Sequence, residues 1–380
     1  VFGSNVIASS KFVLCGYKAY KDARCMEIMR TYDSSDCYYV ANVEACMNCM
    51  FSFNQRSKNY LIGNLQMPKD EYAKLKENLL EDIAETIKTK KKIPSIVDIV
   101  GAVGLKEKIK PVKIEIKQAS ALTDIRPIEN AFDETCRILL GKKLSGGIDR
   151  YGKWLSKHTG EPPKTKSVVS GRDVFVPQLE FYLPIKERFV TLEESLEFGK
   201  RKSSEEVLGK LKLSNAVEKL AEISFIAPDD VYGRVLNAID SVSYGDGSVN
   251  IYKSAVAYRL KNVTHSLWIT NSEYIFGSYV VFFSSFCINC YNSTNLTRCF
   301  EVDSSTDCND CYFCHNCENL KDCMFCFNTK SKRYAIGNVE IGKEKYEKIK
   351  KRLLEEIAKT LENKGKIDAN IFSIGCASAR

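Results

Sequence analysis

Nine cysteines between Cys287 and Cys326 fall in one phase of three: Cys287, Cys290, Cys299, Cys308, Cys311, Cys314, Cys317, Cys323 and Cys326, with gaps of 3, 6 or 9 residues. Thiolates paired two residues apart are the usual ligand unit of structural zinc, so Cys308, Cys311, Cys314, Cys317, Cys323 and Cys326 are the residues that would hold such an ion. Cys311-Tyr312-Phe313-Cys314-His315 also spells a haem c attachment motif, although a histidine after one such pair carries little information in so regular a run. Disulfides are a third chemistry. A row of small thiols packed in a narrow core is the alternative to all three.

An internal repeat weighs these readings against each other. Val1 to Lys88 align with Ile275 to Glu362 at a constant offset of 274 without a gap, sharing Phe2-Gly3-Ser4, Cys49-Met50-Phe51 and Ile62-Gly63-Asn64 with their counterparts. Only Cys25/Cys299, Cys37/Cys311 and Cys49/Cys323 are cysteine in both copies. Where the second copy has its other cysteines, the first has Val13, Gly16, Ser34, Val40, Val43 and Ser52. A replaced metal ligand would more often become His, Asp or another Cys, whereas small apolar and hydroxyl substitutes suit packing. The expectation is therefore reduced core cysteines and no cofactor, with a zinc site confined to the second copy as the alternative.

The common cysteines lie 12 residues apart, a spacing that predicts a short β-solenoid with Cys25, Cys37, Cys49, Cys299, Cys311 and Cys323 stacked inward at the strand separation of about 4.8 Å. After each run, Tyr72, Leu75, Leu79, Ile83 and Ile87, and Tyr346, Ile349, Leu353, Ile357 and Leu361, recur on one helical face. The fold expected is α+β, with two Cys-rich β-solenoid-like modules, each followed by an amphipathic helix, flanking a mixed α/β middle domain. The boundaries are 1–92 (solenoid 1–64, helix 69–90), 93–274, and 275–380 (solenoid 275–338, helix 343–362, tail). Each helix is expected to cap one end of its own solenoid, leaving the other edge open to pairing.

Within the middle, Ile109 to Ile116 reads as a strand, Glu129 to Leu140 as a helix, and Val174 to Val176 and Leu179 to Leu183 as strands. Leu192 to Ile223 and Tyr232 to Ile239 read as helical, and Ser241 to Lys261 as a hairpin turning at Tyr244-Gly245-Asp246-Gly247. Residues 142–166 are the most basic stretch, with Lys142, Lys143, Arg150, Lys153, Lys157, Lys164 and Lys166 beside Tyr151 and Trp154. Its glycines and prolines suggest an extended, mobile arm. Such an arm could bind a phosphate backbone with the aromatics as stacking platforms, or lie on a neighbouring subunit; the second is favoured, since no helix-turn-helix or RNP pattern accompanies it.

No Gly-x-Ser-x-Gly, His-Glu-x-x-His or phosphate loop occurs, and three histidines in 380 residues leave little general-base chemistry, so an enzyme is the least supported class. A net charge of +8 favours acidic partners only weakly. No apolar run approaches the roughly 20 residues of a membrane helix. The chain starts at Val1 inside the repeat's own match, which reads as a processed or trimmed form.

Cys323-Met324-Phe325-Cys326-Phe327, followed by Lys332-Arg333-Tyr334-Ala335-Ile336-Gly337-Asn338 and Tyr346, resembles a set of Cys-rich repeat proteins encoded by small-genome uncultured bacteria and large phages. They share the Cys-x-x-Cys run, a Lys-x-Tyr-x-Ile-x-Asn close and a Glu/Lys-rich helix. The resemblance covers both flanking modules and implies the repeat fold but no activity. This chain lacks the zinc-ribbon pairs that many members carry upstream. The function expected is a structural or assembly protein, intracellular or virion-associated, whose partner is itself. A zinc-containing nucleic-acid-binding protein comes second, and a metal or redox protein using the cysteine row third.

Overall fold

The computed structural model describes residues 1–102, 123–177, 179–229, 234–245 and 247–375. The chain is mixed α/β and rich in strands. Strands β1 (Asn5–Ala8), β2 (Lys11–Tyr20), β3 (Ala23–Tyr32), β4 (Ser35–Glu44), β5 (Met47–Met50), β6 (Phe53–Arg56), β7 (Asn59–Ile62) and β8 (Leu65–Gln66) precede helices α1 (Lys69–Lys90) and α2 (Ile96–Gly101). Then come α3 (Arg126–Leu140), α4 (Gly152–Leu155), a small antiparallel pair β9 (Lys164–Lys166) and β10 (Asp173–Phe175), and α5 (Leu192–Gly199), α6 (Glu205–Gly209) and α7 (Ala216–Lys219).

The second run of strands is β11 (Val235–Ile239), β12 (Val242–Tyr244), β13 (Ser248–Tyr252), β14 (Ala255–Thr264), β15 (Leu267–Phe276), β16 (Tyr279–Phe282), β17 (Ser285–Ile288), β18 (Tyr291–Thr294), β19 (Thr297–Asp303), β20 (Asn309–Glu318), β21 (Lys321–Met324), β22 (Phe327–Lys330), β23 (Arg333–Ile336) and β24 (Val339–Glu340). Helices α8 (Lys343–Lys364) and α9 (Ile371–Gly375) follow.

Contacts divide the chain into two units, Val1–Gln118 with Lys164–Asp229, and Ala119–Pro163 with Asp230–Arg380. The stretch 93–274, expected to form a domain of its own, is thus shared between them. In the first unit the parallel pairings between β1 and β7 all join residues 12 apart, as in Val13↔Cys25, Ile28↔Val40, Cys37↔Cys49 and Cys49↔Leu61. The last strand, β8, turns back antiparallel on β7.

The second unit repeats the register through Ile275↔Cys287, Cys287↔Cys299, Cys311↔Cys323 and Cys323↔Ala335, and closes with β24 antiparallel to β23. Its parallel series reaches back past residue 275. Val242 pairs with Ala255 and Val249 with Lys261, both parallel, so 241–261 is not a hairpin and 235–239 is a strand rather than a helix. The Gly-containing turn suggested a reversal. The inward phase, however, continues through Ile251, Ser254, Leu260 and Val263, all buried, and that phase selects the parallel partner.

A period of three underlies the period of 12. Every third side chain points inward: Cys25, Ile28, Thr31, Ser34 and Cys37 in the first unit, and Cys287, Cys290, Ser293, Leu296 and Cys299 in the second, all buried. The residue before each inward position takes a left-handed conformation, as at Arg24 (φ 56°), Asn289 (φ 51°) and Asp310 (φ 54°). Among non-glycine residues Asn and Asp tolerate that region best, which accounts for Asn or Asp ahead of Cys290, Cys308, Cys311, Cys317 and Cys323.

Large side chains beside the inward rows face the helices. In the first unit Met29, Tyr39, Met50, Phe51 and Phe53 pack with Tyr72, Leu79 and Ile83 of α1 and Ile96 and Ile99 of α2. In the second, Phe276, Phe300 and Tyr312 pack with Ile128 and Phe132 of α3 and with Tyr346, Ile357 and Leu361 of α8. Each long helix meets the last parallel strand of its unit, through Tyr60–Tyr72 at 5.5 Å and Tyr334–Tyr346 at 5.8 Å between ring centroids. The expected strand at 179–183 is instead part of a 3-10 helix (Glu180–Arg188), and that at 109–116 lies outside the described residues. Among the described residues no helix is long and apolar enough to cross a membrane.

Candidate functional site

The six cysteines common to both copies, Cys25, Cys37, Cys49, Cys299, Cys311 and Cys323, are all buried inward residues. Parallel pairing sets rungs one above another, and the thiols use that geometry to satisfy themselves. Cys37 Sγ donates to the Ser35 carbonyl at 3.2 Å and reaches the Cys46 carbonyl at 3.8 Å. The same two partners, the carbonyls two residues back and nine ahead, serve Cys308, Cys314, Cys317, Cys323 and Cys326. A thiol is small enough for a narrow row and carries a weak donor that a carbonyl can absorb, so cysteine fits this position better than serine or leucine would on size and polarity together.

Cys311 lies mid-row and donates to the Asn309 carbonyl at 3.3 Å. The neighbouring thiols of Cys299, Cys308, Cys314 and Cys323, together with burial, push its ionisation well above the ordinary thiol value, and burial does the same to Cys290 and Cys314. Burial pushes Cys317 up to about 11. Neighbouring thiols shift others the opposite way, Cys311 lowering Cys308, and Cys314 with Cys323 bringing Cys326 down to about 3, so it is enclosure rather than uniform protonation that keeps the row from reacting. Fifteen cysteines are free thiols among the described residues, and no group of three or more His, Cys, Asp or Glu side chains there is arranged to hold a metal ion.

The basic stretch is folded rather than extended, and it is divided between the units. Tyr151 and Trp154 are buried and cannot serve as stacking platforms: Tyr151 packs on Phe132 at 5.6 Å and donates to the Ser145 carbonyl at 2.6 Å, while Trp154 lies 6.1 Å from Phe300. Their apolar bulk, between glycines that suggested mobility, instead anchors residues 148–155 as a short helical segment. Lys142 pairs with Glu362 at 2.6 Å and Lys143 with Asp133 at 2.5 Å, and Arg150 donates to the Glu362 carbonyl. Lys153 and Lys157 are exposed. Lys164, over the Phe175 ring at 4.6 Å, and Lys166, paired with Asp173 at 2.6 Å, belong to the first unit.

The histidines are committed elsewhere. His265 is buried edge-on to Tyr252, burial pushing it down to about 4; His158 meets Tyr291 and Phe372, and His315 pairs with Asp303 at 2.8 Å.

The cysteine pattern drew attention away from a pair of buried carboxylates. Glu27 and its counterpart Glu301 occupy equivalent left-handed corners, and each accepts a hydrogen bond from the first backbone N–H of a short helix: Ile96 at 2.7 Å and Ile371 at 2.9 Å. Glu27 and Glu301 are identical in the two copies, a signal available in the sequence. Their partners lie beyond the gapless alignment, because one extra residue precedes Ile371.

In comparisons with known proteins, no family model, no curated protein and no solved structure matches the chain.

Proposed function

We propose that each sheet is a β-solenoid of 12-residue coils and that the protein is a structural or assembly component, a subunit of a virion shell or other large particle. The observation that carries this reading is the 12-residue parallel register, lengthened to 13 where β11 meets β13 and β12 meets β14, whose inward rows are filled by thiols, hydroxyls and aliphatic side chains in both units. Such rows are built for stacking, and stacked repeats serve as rigid spacers and contact surfaces. The resemblance to Cys-rich repeat proteins points to the same architecture.

Self-association is supported by large apolar side chains left on the surface: Phe12 of β2 is 81% exposed and Phe283, between β16 and β17, 63%. Exposed apolar side chains beside strands favour contact with another chain. Sedimentation velocity at micromolar concentration tests this: the protein should run as an oligomer, and Phe12→Lys with Phe283→Lys should lower the assembly state while leaving the circular dichroism spectrum intact. A native chain that runs as a monomer overturns the proposal.

A further inference from the structure

The two long helices fill equivalent places in their units, yet they present opposite charge to solvent. Along α8, Lys345, Lys348, Arg352 and Lys359 recur at intervals of 3, 4 and 7 residues, on the side of the helix opposite the buried Tyr346, Ile357 and Leu361, and all four are exposed. At the same positions α1 has Glu71, Lys74, Asn78 and Glu85. Glu355, between Arg352 and Lys359, and its counterpart Glu81 share this exposed face, so four cations against one glutamate give +3 on α8 and one lysine against three glutamates gives −2 on α1. Among the described residues none of these four α8 cations has a carboxylate within ion-pair distance; the pair within this helix joins Lys343 and Glu347.

Helix stability does not account for the excess. The first turn of α8 carries Lys343 and Lys345 against Glu344 alone, although the macrodipole disfavours cations there, while the first turn of α1 carries Asp70 and Glu71 against Lys69. Packing does not account for it either, since both helices bury the same face on the same strand of their units. An unpaired row of cations running roughly 21 Å along a rigid helix fits a polyanion of regular charge spacing. The apolar side of α8 is already covered, so the helix has no face to insert into a lipid surface.

We propose that the outward face of α8 binds the phosphate backbone of a nucleic acid, without sequence preference, through Lys345, Lys348, Arg352 and Lys359. This does not rest on the assembly reading. The row supplies no aromatic for base stacking and no side-chain amide for base-edge readout, so affinity comes from counterion release and falls steeply with salt.

The test is fluorescence anisotropy of the full chain with labelled 30-nucleotide single-stranded DNA, RNA of the same sequence and a 30-base-pair duplex, at 50–300 mM KCl. Micromolar binding at low salt is expected, with a log–log salt slope of about −3. Giving α8 the residues of α1, as Lys345→Glu, Arg352→Asn and Lys359→Glu together, should weaken binding at least tenfold and cut the slope by about two, with an unchanged thermal melt. The reverse exchange on α1, Glu71→Lys with Asn78→Arg and Glu85→Lys, should strengthen it. No binding at 50 mM salt, or equal binding by native and exchanged chains, overturns the proposal. So does a stronger loss from Lys142→Ala, Lys143→Ala, Lys153→Ala and Lys157→Ala, or polyglutamate competing as well as DNA.

Discussion

The carboxylate of Glu301, buried in the second unit, accepts a hydrogen bond from the backbone N–H of Ile371 at 2.9 Å, and Glu27 does the same for Ile96 at 2.7 Å in the first. Two short helices, α9 and α2, are thereby fastened to the strands by one device used twice. The side chain of Asn289 donates to the other oxygen of Glu301 at 2.9 Å.

Burial pushes both carboxyls up to about 7 from the ordinary 4.5, with Asp98 reinforcing the rise at Glu27 and Lys157 opposing it at Glu301. A carboxyl whose pKa is raised by folding holds a proton that the unfolded chain has released. Its contribution is therefore present below about pH 4.5 and is lost as pH rises toward 7, by about 2–3 kcal/mol for each group. Asp22, pushed by burial to about 6, adds a loss of the same sign between about pH 4 and 6. Urea unfolding at pH 5, 6, 7 and 8 should show stability falling across that span. Glu27→Gln with Glu301→Gln should flatten most of the fall; an unchanged slope in the double variant would exclude the assignment.

The thiol rows should be chemically silent in the folded protein. With 14 of the 15 described thiols buried and only Cys15 partly accessible, thiol titration of the native chain should detect few of the 16 cysteines, and all of them in guanidinium. Rapid reaction of most thiols without denaturant would contradict the packing described here.

Within the row, tolerance should follow the other copy. Cys314 corresponds to Val40, and both lie fully buried in the same inward phase. Cys314→Val should therefore cost under about 1 kcal/mol, whereas Cys314→Asp should cost about 3 kcal/mol or more by burying an unpaired polar group. Thermal denaturation distinguishes these outcomes from a metal-ligand role, in which both replacements would be comparably damaging.

Much of this architecture was legible in the amino-acid order, and what escaped has physical reasons. The spacing of Cys25, Cys37 and Cys49 revealed the 12-residue period because cysteine is rare enough elsewhere for its recurrence to stand out. Between residues 235 and 274 the same inward phase is carried by Ile251, Ser254, Leu260, Val263, Ser266 and Ile269. Aliphatic and hydroxyl residues fit many folds, so the phase went unread and the Gly245–Gly247 turn was taken for a hairpin. The short segment around Tyr151 and Trp154 was misread for the opposite reason. Lysines dominate its composition, yet two buried aromatics decide where it sits.

Left-handed corners supply another check. Val280 holds φ at 53°, a conformation that costs a β-branched residue more than it costs asparagine. Val280→Asn should stabilise the fold by about 1 kcal/mol, measured by thermal denaturation; a comparable loss would show that Val280 is held by packing rather than strained at its corner.

The central claim is that the thiol rows are packed cores of an assembling scaffold. Native mass spectrometry of the full chain addresses it most directly, since a single spectrum reports metal content, disulfide mass loss and subunit number. The account predicts an oligomer whose mass is a whole multiple of the fully reduced, metal-free chain. A monomer carrying stoichiometric zinc, or one lighter by the hydrogens of several disulfides, would contradict it.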